Sequence, residues 1–171
     1  MKKIVITGPE CSGKSHLAKQ LAQKYSSPWV PEYAREFLEN LPRPYVEEDL
    51  MAIAAGQESA MHDIKSKFST ADWLFIDTWD MVLRVWLQYK YGKVAPFLLA
   101  FSERYQIDHY LLCAPDLPWV PDPLREHPDK RDELYEMYVA LLEETNSSYT
   151  VISGSSEERL QKADRALQSL S

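Results

Sequence analysis

The chain has 171 residues, room for one domain with a real core and too few for two comfortable ones. Its 19 Lys and Arg against 26 Asp and Glu leave a formal net charge of −7, which argues against a broad basic face for nucleic acid and leaves small anions to be held by local groups. No apolar run approaches signal-peptide or membrane-span length, and Cys11 and Cys113 make neither a disulfide framework nor a zinc pattern; a cytoplasmic protein without nucleic-acid or membrane partners is expected, its oligomeric state left open.

The chain starts with an apolar run, KKIVIT, read as a strand over 3–7, followed directly by GPECSGKS. Gly8, Gly13, Lys14 and Ser15 occupy the four fixed positions of G-x-x-x-x-G-K-[ST], a loop whose backbone N–H groups cradle phosphates. KSHLAKQLAQKY continues as a helix with Leu17, Ala18, Leu21 and Ala22 on one face, so the helix N-terminus adds a dipole that favours anions. The loop residues Gly8, Pro9, Glu10, Cys11, Ser12, Gly13, Lys14, Ser15 and His16 are the expected ATP site. Lys14 reaches the β- and γ-phosphates, and the Ser15 hydroxyl ligates Mg²⁺. Cys11 reads as a small loop filler, and the four scattered histidines lack metal-ligand spacing.

A short strand between Pro28 and Pro31 precedes a helix or turn from Glu32. The stretch VEEDLMAIAAGQESAMHDIKSKF has the acidic start and basic end of a long helix, with Gly56 costing some helicity. DWLFID reads as a buried parallel strand ending at Asp77; MVLRVWLQYKY as a helix closed by Gly92; PFLLAFSERY as another helix. HYLLCAP is a fourth strand, RDELYEMYVALLEETN a helix, YTVISG a fifth strand and SSEERLQKADRALQSL a serine-capped closing helix. Strands alternate with helices, the pattern of an α/β domain with a parallel sheet. The stretch 114–131 breaks it with Pro115, Pro118, Pro121, Pro123 and Pro128, and reads as a lid or as a stiff surface connection.

Ligands of open α/β sheets gather at the carboxyl ends of the strands. Asp77 there is either a Walker B type carboxylate for Mg²⁺ or a cap for the next helix. Glu32 either takes the proton of an attacking hydroxyl or holds sugar hydroxyls, unless it merely pairs with Arg35 three residues on. Arg125 and Arg131 are candidates to stabilise a transferring phosphoryl group, or else they pair with Asp122, Glu126 or Asp129. Trp79 and Trp119 are placed to stack on a flat, positively charged ring. Gly154, which follows the fifth strand, is expected at the ATP site together with Arg125 and Arg131.

GPECSGKS, PEYAREF, FIDT, APDLPWVPDPLREHPDKR and the closing ISG with ERL together resemble the nicotinamide riboside kinase domain of bifunctional bacterial NadR proteins and the wider group of P-loop kinases around it. The resemblance spans nearly the whole chain. It implies a P-loop three-layer sandwich with a five-stranded parallel sheet, a lid over the phosphates, and ATP-dependent phosphorylation of the 5′-hydroxyl of nicotinamide riboside. It implies that Glu32, Tyr33 and Arg35 face the nucleoside, that Asp77 sits near ribose and metal, and that Arg125 and Arg131 are lid arginines. The adenylyltransferase and DNA-binding parts of full NadR have no counterpart here. Where the family commonly reads D-T-D at the third strand end, this chain reads Asp77-Thr78-Trp79, with Asp80 one place later. A kinase for another nucleoside or metabolite, and a nucleotide-dependent regulatory switch, remain as alternatives. No guanine-reading N-K-x-D string follows the fourth strand, which favours ATP over GTP.

Overall fold

The computed structural model describes residues 1–93 and 96–170. Five strands form one parallel sheet in the order β2-β3-β1-β4-β5: β1 Lys2–Thr7, β2 Trp29–Val30, β3 Trp73–Asp77, β4 His109–Cys113 and β5 Tyr149–Ile152. Each strand is followed by helix: α1 Lys14–Lys24, α2 Tyr33–Glu39 and α3 Asp49–Lys67, α4 Asp80–Tyr91 and α5 Pro96–Arg104, α6 Arg131–Glu144, and α7 Ser156–Gln168. None of the described helices is long and apolar enough to cross a membrane.

The central strands are apolar on both faces because helices cover both. Ile4, Ile6, Phe75, Leu111 and Cys113 pack with Leu17, Leu21 and Ala163 of α1 and α7. The alternate residues Val5, Leu74, Ile76, Tyr110 and Leu112 pack with Ile53, Val85, Leu134 and Tyr138 of α3, α4 and α6. This period-two alternation is what a strand buried on both sides requires. The helix ends agree with their sequence signals. Gly92 closes α4 with a left-handed φ of 63°, and Ser155 caps α7 in a capping box with Glu158.

Gly56 has a packing reason rather than a conformational one. A Cβ built there would lie 1.9 Å from the Tyr33 ring, which crosses α3 at this point. Gly56→Ala is therefore expected to destabilise the protein. Overpacking of about 1–3 kcal/mol exceeds the helix-propensity gain of about 1 kcal/mol. A urea melt showing a stabilised variant would refute this.

His109 is buried in β4, with its ring nitrogens bonded to Ser148 Oγ at 2.7 Å and Thr150 Oγ1 at 2.9 Å. Burial holds its pKa below the ordinary 6.5. The stability this adds is complete above the unfolded value and is lost as pH falls through the lower folded value. Between about pH 7.5 and about pH 5.5, the Tm of the wild type should fall further than that of His109→Gln. Equal slopes would show that protonation of this ring is not coupled to unfolding.

Candidate active site

The phosphate loop runs from the end of β1 into α1, and its glycines are required by close approach and by backbone angle. Gly8, at φ 132°, lies where a Cβ would meet the Cys113 carbonyl oxygen at 2.5 Å, and Gly13 takes φ 81° as the residue before α1. The loop holds itself open through Pro9. This residue has no N–H to offer a phosphate, and its carbonyl accepts from Ser12 Oγ at 2.7 Å and Lys14 Nζ at 2.8 Å. The first N–H groups of α1 carry no side-chain cap, which leaves donors free for an anion.

Because β3 lies between β1 and β2, the ends of all three strands come together. A cavity of about 310 Å³ is lined by Gly8, Glu10, Cys11, Ser12, Gly13, Lys14, Ser15 and His16 of the loop, by Glu32 and Arg35, and by Arg125. Its apolar wall is Ala34, Leu38, Val82, Trp86, Leu124 and Tyr138. A second lobe of about 500 Å³ shares Ser15, Glu32, Arg35 and Arg125 and adds Lys19, Trp29, Tyr33 and Asp77. Glu32 and Asp77 thus face the same groove from neighbouring strand ends.

Burial pushes the carboxyl of Glu32 upward; the ammonium of Lys14 opposes the shift and the charge of Asp77 adds to it. Asp77 is raised for the same first reason, against the pull of the Ser15 hydroxyl and of Lys14. Asp77 is 1 % exposed, and its Oδ1 is a buried acceptor with no hydrogen-bond partner among the described residues. Such an atom is costly in a ligand-free protein and is suited to a group brought in with the ligand. Asp77 does not cap α4, whose preceding residue is Trp79. Nor does Arg35 pair with Glu32 in a local bridge: its guanidinium binds Glu39 at 3.1 Å and Asp122 at 2.8 Å.

The segment 114–130 lies against the phosphate loop without helix or strand. Glu10 accepts from the backbone N–H groups of Glu126 and His127 at 3.1 and 3.2 Å. Cys11 Sγ accepts from the Val120 N–H at 3.2 Å and faces the Pro118 carbonyl at 3.4 Å, so the loop filler also ties two segments together. Neither arginine of the segment pairs with the acids beside it. Arg125 donates to the Val120 carbonyl and Arg131 to the Leu117 carbonyl at 2.8 Å, and both lie within 6 Å of the Trp119 ring. Arg125 lines both lobes of the groove, whereas Arg131, Trp119 and Gly154 lie outside its lining. The Gly154 N–H is already taken by Asp116 at 2.6 Å.

One expectation is corrected. Trp79 is 1 % exposed and stacks on Phe101 at 4.7 Å and edge-on to Tyr105, so its ring is core and presents no face to a ligand. Thr78 turns the chain so that the residue after it points inward. Asp80, the displaced second carboxylate, is also buried away from the groove, where Ser102 and Tyr110 donate to it beneath α5. Among the described residues no cluster of three His, Cys, Asp or Glu side chains is placed to hold a metal.

Arg159, the middle residue of the ERL string, was given no role by the sequence. Only 3 % exposed, it donates to the carbonyls of Gly154 at 2.7 Å, Ser12 at 2.9 Å and Ala114 at 3.1 Å, and pairs with Asp116. It fastens the back of the phosphate loop to the ends of β4 and β5. The signal was present: Arg159 stands four and eight residues before Ala163 and Leu167, at an apolar position of the buried face of α7.

A parallel five-stranded sheet with β1 running into a G-x-x-x-x-G-K-S loop and acids at the ends of β2 and β3 defines a P-loop nucleotide-binding domain. Residues 3–159 match the AAA domain family model, and the chain belongs to that family. It is 27 % identical over 157 residues to the trifunctional NAD biosynthesis/regulator protein NadR of Escherichia coli (strain K12), and 26 % identical to its counterpart from Salmonella typhimurium (strain LT2). Each alignment covers 87 % of this chain and 37 % of the relative, so the chain spans well under half the length of these proteins. The fold superposes on a crystal structure of NadR in complex with NR with a TM-score of 0.82 at 19 % identity, over 98 % of this chain and 50 % of that one. It superposes on thymidylate kinase from Ehrlichia chaffeensis with a TM-score of 0.69 at 14 % identity, over 98 % of both chains. The sandwich and sheet expected from the motifs are thus those of P-loop nucleoside and nucleotide kinases.

Proposed function

We propose that this protein is an ATP-dependent kinase that phosphorylates the 5′-hydroxyl of a nucleoside, with nicotinamide riboside as its acceptor and nicotinamide mononucleotide as product. The observation that carries the phosphotransferase reading is a pair of acids, the half-buried Glu32 and the buried Asp77, facing one groove with Lys14, Ser15 and Arg125. The phosphate loop alone would serve a nucleotide switch as well; a second carboxylate facing the same groove is the group that an acceptor hydroxyl needs to lose its proton. The choice of acceptor is supported by the likeness to NadR and to the NadR structure that holds NR.

In this reading residues 1–171 act as one kinase domain and residues 114–131 are its lid. The loop N–H groups and Lys14 hold the β- and γ-phosphates, Glu32 takes the proton from the attacking hydroxyl, and Tyr33 and Arg35 flank the nucleoside. Arg125 lies against the transferring group, where charge spreads over the equatorial oxygens. Arg131 and Gly154 border the nucleotide, and Trp119 the nucleoside, from beyond the lining of the groove. The unpartnered Asp77 oxygen beside the Ser15 hydroxyl fits Mg²⁺: these two side chains would hold it with phosphate oxygens, and the ion supplies neutralisation of the phosphate charge.

The test is mass spectrometry of mixtures of the protein, Mg-ATP and a panel of nucleosides. A monophosphate formed from nicotinamide riboside and few others is the expected result. Transfer to a different nucleoside would move the acceptor assignment, and ATP binding without transfer to any would favour the regulatory switch.

A further inference from the structure

The long helix α3 packs at Gly56 and Gln57 against the Tyr33 ring and the ends of β2 and β3; the sequence reading noted only the helicity cost of Gly56 and gave Gln57 no role. Gln57 is 4 % exposed. Its Oε1 accepts from the Tyr33 N–H at 2.7 Å, and its Nε2 faces the carbonyls of Pro31 at 3.3 Å, Thr78 at 3.2 Å and Asp77 at 3.4 Å. One amide therefore grips the residues on both sides of Glu32 and, with its other nitrogen valence, the backbone of Asp77 and Thr78. Both segments have reason to need holding. β2 is an edge strand of two residues, so the sheet anchors Glu32 weakly. Thr78 takes a left-handed φ of 65°, a conformation that a β-branched residue rarely adopts and that persists only where surroundings enforce it.

We propose that Gln57 is a positioning residue for phosphoryl transfer: it sets the spacing of Glu32 and Asp77 by bridging their backbones, and it holds Thr78 in the strained turn that presents Asp77 to the groove. The inference rests on the kinase reading given above. A primary amide is suited to this because it offers one acceptor and two donors on a single planar group. Glutamate keeps the acceptor for Tyr33 and loses the donors; methionine of similar size loses both. The neighbouring Gly56 completes the grip by letting the Tyr33 ring cross the helix.

The experiment compares wild type, Gln57→Met and Gln57→Glu for kcat, for the KM of ATP, and for amide hydrogen exchange at Tyr33 and Thr78, below the melting temperature of each variant. Displacing a reacting group by about 1 Å can cost on the order of a hundredfold. The expected result is a kcat lower by roughly tenfold to a hundredfold in both variants, a KM for ATP within about twofold of wild type, and faster exchange at both amides. A kcat unchanged in folded variants overturns the inference, as does a rise in KM for ATP that matches the fall in kcat, since that marks general loosening. If the wild type transfers phosphate to no acceptor, the kinase reading fails by itself, and unchanged protection of Tyr33 and Thr78 then overturns the bridging role separately.

Discussion

Lys14→Ala is expected to reduce phosphotransfer by at least about a hundredfold while leaving the melting temperature nearly unchanged, because the two properties depend on different states of the same ammonium. Without ligand, Lys14 makes a hydrogen bond to the Pro9 carbonyl at 2.8 Å on a partly exposed side chain, a contact worth little to folding. In the proposed reading the same group would face the bound phosphates, with no second lysine in the loop to replace it. Removing one fixed charge from a developing phosphoryl transition state typically costs 10²–10³ in turnover, or about 3–4 kcal/mol. Initial rates with Mg-ATP and acceptor, measured beside a thermal melt, test this. A variant within tenfold of wild type would show that the loop binds phosphate through its backbone alone.

Asp77→Asn is expected to lower turnover by roughly 10²–10⁴ and to leave the protein as stable as wild type or more so. The carboxylate is 1 % exposed and one of its oxygens has no partner among the described residues, so the ligand-free protein bears the cost of a dehydrated anion. The amide keeps the shape and removes that cost, a trade of stability against activity common at functional sites. The variant also separates the two acids. If Asp77 holds Mg²⁺ and Glu32 takes the proton, Asp77→Asn should raise the Mg²⁺ concentration needed for half-maximal rate. Glu32→Gln should lower the rate with no change in that requirement. Full activity of Asp77→Asn would remove this residue from the chemistry.

The phosphate loop was legible in eight consecutive residues because its geometry is local: two glycines where φ must be positive or a neighbour approaches, a lysine, and a helix that starts at once. The strands and helices were legible for a similar reason, since burial on one or both faces writes a period of two or 3.6 into the side chains. The side-chain directions beyond a strand end were not. Trp79 follows Asp77 by two residues and was read as facing a ligand. The left-handed turn at Thr78 sends it into the core instead, and Asp80 turns inward beneath α5. Arg159 lay on an apolar stripe, yet its partners belong to three other segments.

From the residues alone came a nucleotide-binding α/β chain, its phosphate loop, and two acids at strand ends, because each of these depends on neighbours a few positions apart. Only the folded sheet decided that the two acids share a groove. β3 inserts between β1 and β2, so Glu32 and Asp77, far apart along the chain, become neighbours across a strand pair, with Gln57 of a third element tied to both. Strand order depends on which apolar faces bury each other, an outcome of the whole core that no local run of residues encodes.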